Sequence, residues 1–296
     1  ELTTVNGQFT DAEKLENVTN LFAGCAKLES IDLSKFNCQK CKEMGGMFKG
    51  CASIKEVDLS AFSFENVVNI SDLFSQCGNL TKVDLPKEAK IPNVVSMGSL
   101  FEGCVELTTV NGQFTDAEKL ENVTNLFAGC AKLESIDLSK FNCQKCKEMG
   151  GMFKGCASIK EVDLSAFSFE NVVNISDLFS QCGNLTKVDL PNEAKIPNLV
   201  SMGSLFEGCA ELTTVNGQFT DAEKLENVTN LFAGCAKLES IDLSKFNCQK
   251  CKEMGGMFKG CASIKEVDLS AFSFENVVNI SDLFSQCGNL TKVDLP

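Results

Sequence analysis

Residues 44–62 read MGGMFKGCASIKEVDLSAF, and variants of this stretch recur eleven times along the chain. Its central cysteine, Cys51, has counterparts at Cys25, Cys77, Cys104, Cys130, Cys156, Cys182, Cys209, Cys235, Cys261 and Cys287, at spacings of 26, 26, 27 and 26 residues that then repeat. A fixed period of this size, with one supersecondary unit per period, is the signature of a solenoid, in which each unit buries its apolar side against the next. The hydrophobic positions say what the unit is. Before Cys77 lie Phe64, Val67, Ile70, Leu73 and Phe74, and steps of three and four place them on one face of a helix. After it come Leu80, Val83 and Leu85, the last pair straddling Asp84 with the alternation of a short strand. Each unit is therefore expected to be a helix feeding a strand.

The register holds while the residues change. Cys41, Val67, Val94 and Leu120 are equivalent, as are Met44, Ile70, Met97 and Val123. Exchange among apolar types of different shape is what packing tolerates and what catalysis does not. The joints are glycine and polar residues, and the one-residue insertion that makes the third spacing of each set of four 27 falls in residues 86–92, expected to be a loop. Packed helices sit about 8–10 Å apart and paired strands about 4.8 Å, so this reading also expects a helical side wider than the strand side.

A longer period is nested on the short one. Residues 1–105, 106–210 and 211–296 are copies of one 105-residue block, with four coils per complete block. Only Lys87/Asn192, Val94/Leu199 and Val105/Ala210 separate the first two, and the third is identical to the second as far as it runs. The fold expected is an α/β repeat solenoid of leucine-rich-repeat type, with one short strand and one short helix per coil of about 26 residues and about eleven coils. Residues 1–296 would form a single continuous solenoid with uncapped ends, a segment of a longer array.

Composition closes several functional classes. The chain has no His, Trp, Tyr or Arg, and its 27 basic residues are all lysine. It thus lacks an imidazole base, the commonest metal ligand and the guanidinium fork that grips phosphate. A net charge of −13 repels nucleic acid and anionic lipid, and no run of sequence is apolar enough to cross a bilayer. No enzyme and no cofactor is expected.

Within this frame, residues 28–36, LESIDLSKF, match the leucine-rich-repeat spacing of Leu, two residues, Leu or Ile, one residue, Leu. More specifically, MFKGCASIKEVDLSAF resembles the BspA-like leucine-rich-repeat family, a 26-residue repeat of bacterial and protist surface proteins. The resemblance covers the whole chain and recurs in every unit. It implies an extracellular or cell-surface solenoid with roles in display or adhesion. The fourth unit departs from the pattern, with Val110, Asn111 and Gly112 in the strand positions, so its strand is expected to be shorter or bent.

Four constellations are candidates for chemistry. The eleven-rung cysteine ladder is read as core packing, with inter-coil disulfides as the alternative, because stacked Cα atoms about 5 Å apart are within disulfide reach. A CxxC occurs at Cys38 and Cys41, and again at Cys143 and Cys146 and at Cys248 and Cys251. These positions belong to the core register, which leaves packing, a structural disulfide or redox chemistry open. An acidic ladder runs through Asp32, Asp58, Asp84, Asp137, Asp163, Asp189, Asp242, Asp268 and Asp294 on the solvent side of the strands. Like charges directly opposite destabilise a sheet, so hydrogen bonds from Ser34 and Ser60, backbone amides or a bound Ca²⁺ would have to compensate. Finally, nine Asn-x-Ser/Thr sequons stand at Asn17, Asn69, Asn79, Asn122, Asn174, Asn184, Asn227, Asn279 and Asn289. Asn17 and Asn69 are placed on the polar side of the helix, as sites for glycans in a secreted eukaryotic protein and as polar surface otherwise.

The function expected from all of this is structural: a repeat protein of an extracellular filament, fibre or surface appendage, joined to copies of itself end to end or laterally. The alternative is an adhesin or receptor-like module that binds a host or matrix protein, or a glycan, on its strand face.

Overall fold

A computed structural model describes residues 2–5, 10, 12–36, 38–141, 143–246 and 248–296. The chain divides into two compact units, Glu1–Cys143 and Gln144–Pro296. Each is a repeat solenoid in which successive coils pair in parallel.

Among the described residues there is no helix. The segment before each cysteine is instead a string of tight turns hydrogen-bonded to the following coil. In the coil of Cys51, the N–H groups of Met44, Gly46, Phe48 and Gly50 donate to the carbonyls of Asn69, Ser71, Leu73 and Ser75 at 3.1, 2.9, 2.9 and 2.7 Å. The alternate N–H groups of Met47, Lys49 and Cys51 close turns onto Met44, Gly46 and Phe48 at 3.3, 3.0 and 3.0 Å. Half the donors thus leave the segment, whereas a helix would keep them inside it. The geometry requires a left-handed residue five and one positions before the cysteine. These are Gly46 and Gly50 in this coil and Asp72 and Gln76 in the next, with φ of 63°, 73°, 60° and 61°. A left-handed residue at every fourth position rules out a right-handed helix. Because the turns bond directly to the next coil, the wider helical side expected from the sequence has no basis.

The core is as the register implies. Met44, Met47, Phe48, Cys51, Ile54 and Leu59 are fully buried. Phe22, Phe48, Phe74, Phe101 and Phe127 form one stack in the first unit, with ring centroids 5.5–5.6 Å apart. Phe153, Phe179, Phe206, Phe232, Phe258 and Phe284 do the same in the second, at 5.4–5.7 Å.

The strand side is less regular. The first unit holds β1 (Glu56–Asp58), β2 (Lys82–Lys90) and β3 (Thr109–Thr115) in one parallel sheet of that order. The second holds β4 (Glu161–Asp163), β5 (Lys187–Asp189), β6 (Ala194–Lys195), β7 (Thr214–Asn216), β8 (Phe219–Thr220), β9 (Glu266–Asp268) and β10 (Lys292–Asp294). There β4-β5-β7, β6-β8 and β9-β10 are separate parallel sheets.

Two strand expectations fail and a third holds in part. The insertion expected to be a loop lies partly within β2, and the β2–β3 register shifts between Asp84 and Glu88 around Pro86, where a ladder donor is missing. The fourth unit, expected to be shorter or bent, is split into the short β7 and β8 in the second unit but carries the seven-residue β3 in the first. It does so because Gly112, at φ 83°, lets the backbone pass against the Leu85 and Pro86 carbonyls where a Cβ would collide. Residues 28–36, 133–141 and 238–246, whose sequence carries the leucine-rich pattern most plainly, form no strand.

The last failure has a local cause. In the coils of β2 and β3 a threonine two residues before the central valine ties its coil to the one before. Thr81 donates to the Lys55 carbonyl from N–H at 2.8 Å and from Oγ1 at 3.0 Å, and Thr108 does the same to Thr81 at 3.0 and 3.2 Å. The equivalent residue in the coil of residues 133–141 is Glu134, which has no hydroxyl and whose N–H makes no such bond, whereas in residues 28–36 Glu29 keeps only the backbone bond, to the Thr3 carbonyl at 3.1 Å. Ile136 and Ile241 are then only half-buried, whereas Val57 and Val83 at the same register are buried.

Candidate functional site

The cysteine ladder is a line of free thiols. Cys51 to Cys261 are buried, and Cys25 and Cys287 are half-buried. The Cys51, Cys77 and Cys104 thiols donate to the carbonyls of Phe22, Phe48 and Phe74 at 3.2, 3.0 and 3.1 Å, and Cys182, Cys209, Cys235 and Cys261 repeat the contact in the second unit. Each sulfur thus donates to the carbonyl one coil back that already accepts the N–H of that coil's own cysteine. Burial pushes the Cys51 thiol up to about 11, and those of Cys104, Cys182 and Cys261 up to about 12. Cys77, Cys209 and Cys235 are raised for the same reason. Thiolate, the nucleophilic form, is therefore scarce near neutral pH. The ladder behaves as packing.

The CxxC pairs differ from it. Cys38 is bonded to Cys41 and Cys248 to Cys251, and all four sulfurs are buried. Cys143 and Cys146, buried as well, stand at the end of the first unit and the start of the second. The Cys38–Cys41 bridge follows residues 28–36, which form no strand and meet the preceding coil through the Glu29 N–H on the Thr3 carbonyl and the Thr4–Ser30 pair.

Sequons of the Asn69 class do not lie on the polar side of a helix. They are rungs: Asn17 pairs in parallel with Glu43, Glu43 with Asn69, Asn69 with Ser96 and Ser96 with Asn122, and Asn174, Asn227 and Asn279 take the same place in the second unit. The side-chain oxygen of each Asn in this class accepts the N–H two residues on, at 2.8–2.9 Å. This is an Asx turn that starts the turn string. The Asn69 amide nitrogen packs over Gly45, 3.3 Å from where a Cβ would stand, and Asn122, Asn174, Asn227 and Asn279 sit over Gly98, Gly150, Gly203 and Gly255. Asn79, Asn184 and Asn289 are exposed. The Asn289 amide donates to the Ala262 carbonyl at 2.8 Å.

The acidic ladder is present where strands pair, and it is interrupted at the strandless coils. Asp58 stands beside Asp84, Asp163 beside Asp189 and Asp268 beside Asp294. Asp84 accepts from Lys82 Nζ at 2.7 Å and from Asn111 Nδ2 at 2.6 Å, and Asp189 has the same partners in Lys187 and Asn216. Lys292 reaches Asp294 at 2.6 Å. Elsewhere the compensating donor is the backbone N–H two residues on. Ser34 serves Asp32, Ser60 serves Asp58, and Asp137, Asp163, Asp242 and Asp268 accept likewise, all at 2.8–2.9 Å. The Lys82 and Lys187 hydrogen bonds hold Asp84 and Asp189 below the usual carboxylate range, and the Ser139, Ser244 and Ser270 donors do so for Asp137, Asp242 and Asp268. Among the described residues no three carboxylates or thiols converge to hold a metal ion.

A recess on the strand side escaped the sequence reading. In the first unit it lies beside β3, where a hollow of about 370 Å³ is lined by Lys87, Val110–Gln113, Ile136, Asp137 and Lys140. A second hollow of about 510 Å³ lies among Glu88, Lys90, Thr115, Asp116, Glu118 and Lys140. Lys140 pairs with Glu88 at 2.9 Å, and Gln113 donates to Asp137. The second unit repeats the arrangement 105 residues on, with Glu193, Lys195, Thr220, Asp221 and Lys245 around about 650 Å³ and Gln218 donating to Asp242. The insertion in residues 86–92 was the signal that could have located it.

A family model described as "Mycoplasma protein of unknown function, DUF285" matches residues 3–114, 95–216 and 200–294. The chain belongs to the DUF285 family. No curated protein matches it. Among solved structures, this DUF285 chain is similar to a leucine rich cell surface protein from Faecalibacterium prausnitzii A2-165, with 18% identity, a TM-score of 0.52, and coverage of 99% of this chain and 79% of that one. A leucine-rich repeat protein from Bacteroides ovatus ATCC 8483 matches at 18% identity and TM-score 0.40, over 90% of this chain and 79% of that one. The T. pallidum leucine rich repeat protein matches at 23% and 0.35, over 62% and 72%. The first of these likenesses supports a leucine-rich-repeat solenoid. No helix among the described residues of the DUF285 chain is long and apolar enough to cross a membrane.

Proposed function

We propose that this chain is a structural repeat module of an extracellular filament, fibre or cell-surface appendage, built by coil-on-coil stacking and continued end to end with copies of itself. The observation that carries the reading is the turn-side ladder. The same alternate N–H groups of each coil reach the next, with the same phenylalanine beneath, in coil after coil of each unit. A surface that presents the same donors and the same apolar edge at every step is one that another copy of the coil can continue, and head-to-tail contacts that do not close give filaments. On this reading residues 1–296 form about eleven coils of one BspA-like solenoid at the cell surface, with no catalytic role. Glycans, where the host makes them, are carried at Asn79, Asn184 and Asn289, since the other six sequons belong to the Asx-turn rungs. Electron microscopy of native material tests this: long unbranched fibres are expected, and isolated short rods would overturn it.

The adhesin reading has one observation in its favour, the strand-side recess repeated in each unit. Binding of a host or matrix protein, or of a glycan, by a single isolated chain without assembly would favour it over the filament.

A further inference from the structure

We propose that the break after β3 in the first unit, and after β7 and β8 in the second, is a docking groove for an extended polypeptide, which adds to the uncovered edge of those strands through backbone hydrogen bonds. The break is defined by missing partners. Thr81 and Thr108 each bond back to the preceding coil, but neither Glu134 nor its counterpart Glu239 bonds back to Thr108 or Thr213 among the described residues. Residues 110–113 of β3 and Ile136, Asp137 and Lys140 of the strandless coil therefore line the same hollow, unpaired on the strand side while the turn side stays paired through Ser96 and Asn122.

The chemistry of that hollow selects a peptide. Seven residues of β3 present an edge about 23 Å long on which donors and acceptors alternate, and this pattern is complemented by another main chain. The groove continues the parallel ladder that already joins β1, β2 and β3, so an inserted strand meets the spacing its neighbours use. Thr115, at the end of β3, adds an independent sign. Its Oγ1 is buried with no hydrogen-bond partner, in a residue only 8% exposed that lines the adjoining recess. A buried hydroxyl without a partner is costly, and an incoming main chain supplies one.

The walls set the preference for side chains. Behind the edge lie apolar cavities of about 20 Å³ in the first unit and about 30 Å³ in the second, with Phe101, Phe127, Phe206 and Phe232 among their walls. These admit apolar side chains at alternate positions of the peptide, such as Val57, Leu59 and Ala61 of the probe below. The outer rim mixes Lys87, Glu88, Lys90 and Lys140, so charge discriminates little. The Gln113–Asp137 hydrogen bond crosses the mouth and must open for entry.

The test uses the full chain and, as probe, an N-acetylated, C-amidated synthetic peptide of residues 53–62, SIKEVDLSAF, a strand-forming stretch of this sequence. Labelled peptide is titrated by fluorescence anisotropy, and amide exchange is read by mass spectrometry. The expected result is saturable binding of two peptides per chain, with exchange slowed at least tenfold in residues 109–115 and 133–138 and in their counterparts 214–220 and 238–243. The triple variant Glu134→Thr, Ser135→Lys and Ile136→Val, which gives this coil the residues with which Thr81, Lys82 and Val83 bond back to the coil before them, should close one groove and lower the stoichiometry to one. The same peptide N-methylated at alternate residues should not bind. Absence of saturable binding, or equal binding of the N-methylated peptide, overturns the proposal without recourse to any variant.

Discussion

The turn side and the strand side of a coil are built from the same period and behave differently. On the turn side, hydrogen bonds such as Gly50 to Ser75 and Gly103 to Ala128, both 2.7 Å, recur wherever a coil follows another within a unit. On the strand side, strands run two or three residues in some coils, seven or nine in others, and residues 133–141 form none. Continuity thus resides in the turns, and the strands vary. The variable side carries the acidic ladder and the recess, so the half of the coil that is free to differ is the half available for recognition.

The sharpest way to break this contrast is to remove one ring of the turn-side stack. Phe74→Ala should cost about 3–5 kcal/mol in chemical denaturation, whereas Val110→Ala on the strand side, already half-buried, should cost less than about 2 kcal/mol. Equal losses would remove the distinction.

Backbone geometry gives the next test. Gly50→Ala places a Cβ at a left-handed turn position with ordinary space around it and should cost about 1–2 kcal/mol. Gly112→Ala meets the Pro86 and Leu85 carbonyls as well, and should in addition abolish the slow amide exchange of β3 while leaving that of the turn string intact.

Reducing the Cys38–Cys41 bridge should be milder. A loop this short contributes about 2 kcal/mol at most, and faster exchange should be confined to the strandless coil beside it. In the same experiment without reductant, iodoacetamide near neutral pH should alkylate Cys25 and Cys287 well before the buried rungs, as peptide mapping would show.

The smallest effect should come from pH. Asp84, Asp137, Asp189, Asp242 and Asp268 have native pKa values below the ordinary carboxylate value of about 4. Their contribution is therefore complete above that pH and is lost as pH falls through the lower native values. These groups are solvent-facing and screened, so only a slight fall in Tm is expected on acidification, and it should vanish in Asp84→Asn for that pair.

Much of the core was legible because packing follows register. Met44, Ile54, Val57, Leu59 and the cysteines are buried where the period places them. The turn string was misread because Phe64, Val67, Ile70, Leu73 and Phe74 fit either a helix or alternate turns. The signal that separates the two is the residue type at the left-handed positions: Asn20, Gly46, Asp72, Ser99 and Asn125, then Gly24, Gly50, Gly103 and Gly129. The recess was illegible for another reason. It arises where two coils fail to pair, which depends on Thr108 finding no match in Glu134 a full coil away.

The amino-acid sequence by itself determined the period, the register and the identity of the buried layer, because those follow from which side chains recur and which avoid water. Only the tertiary structure decided whether the segment before each cysteine was a helix or a string of turns, and which coils carry strands. Both questions turn on where a backbone N–H finds its acceptor, and in this protein the acceptor lies on the neighbouring coil, beyond the reach of any local pattern.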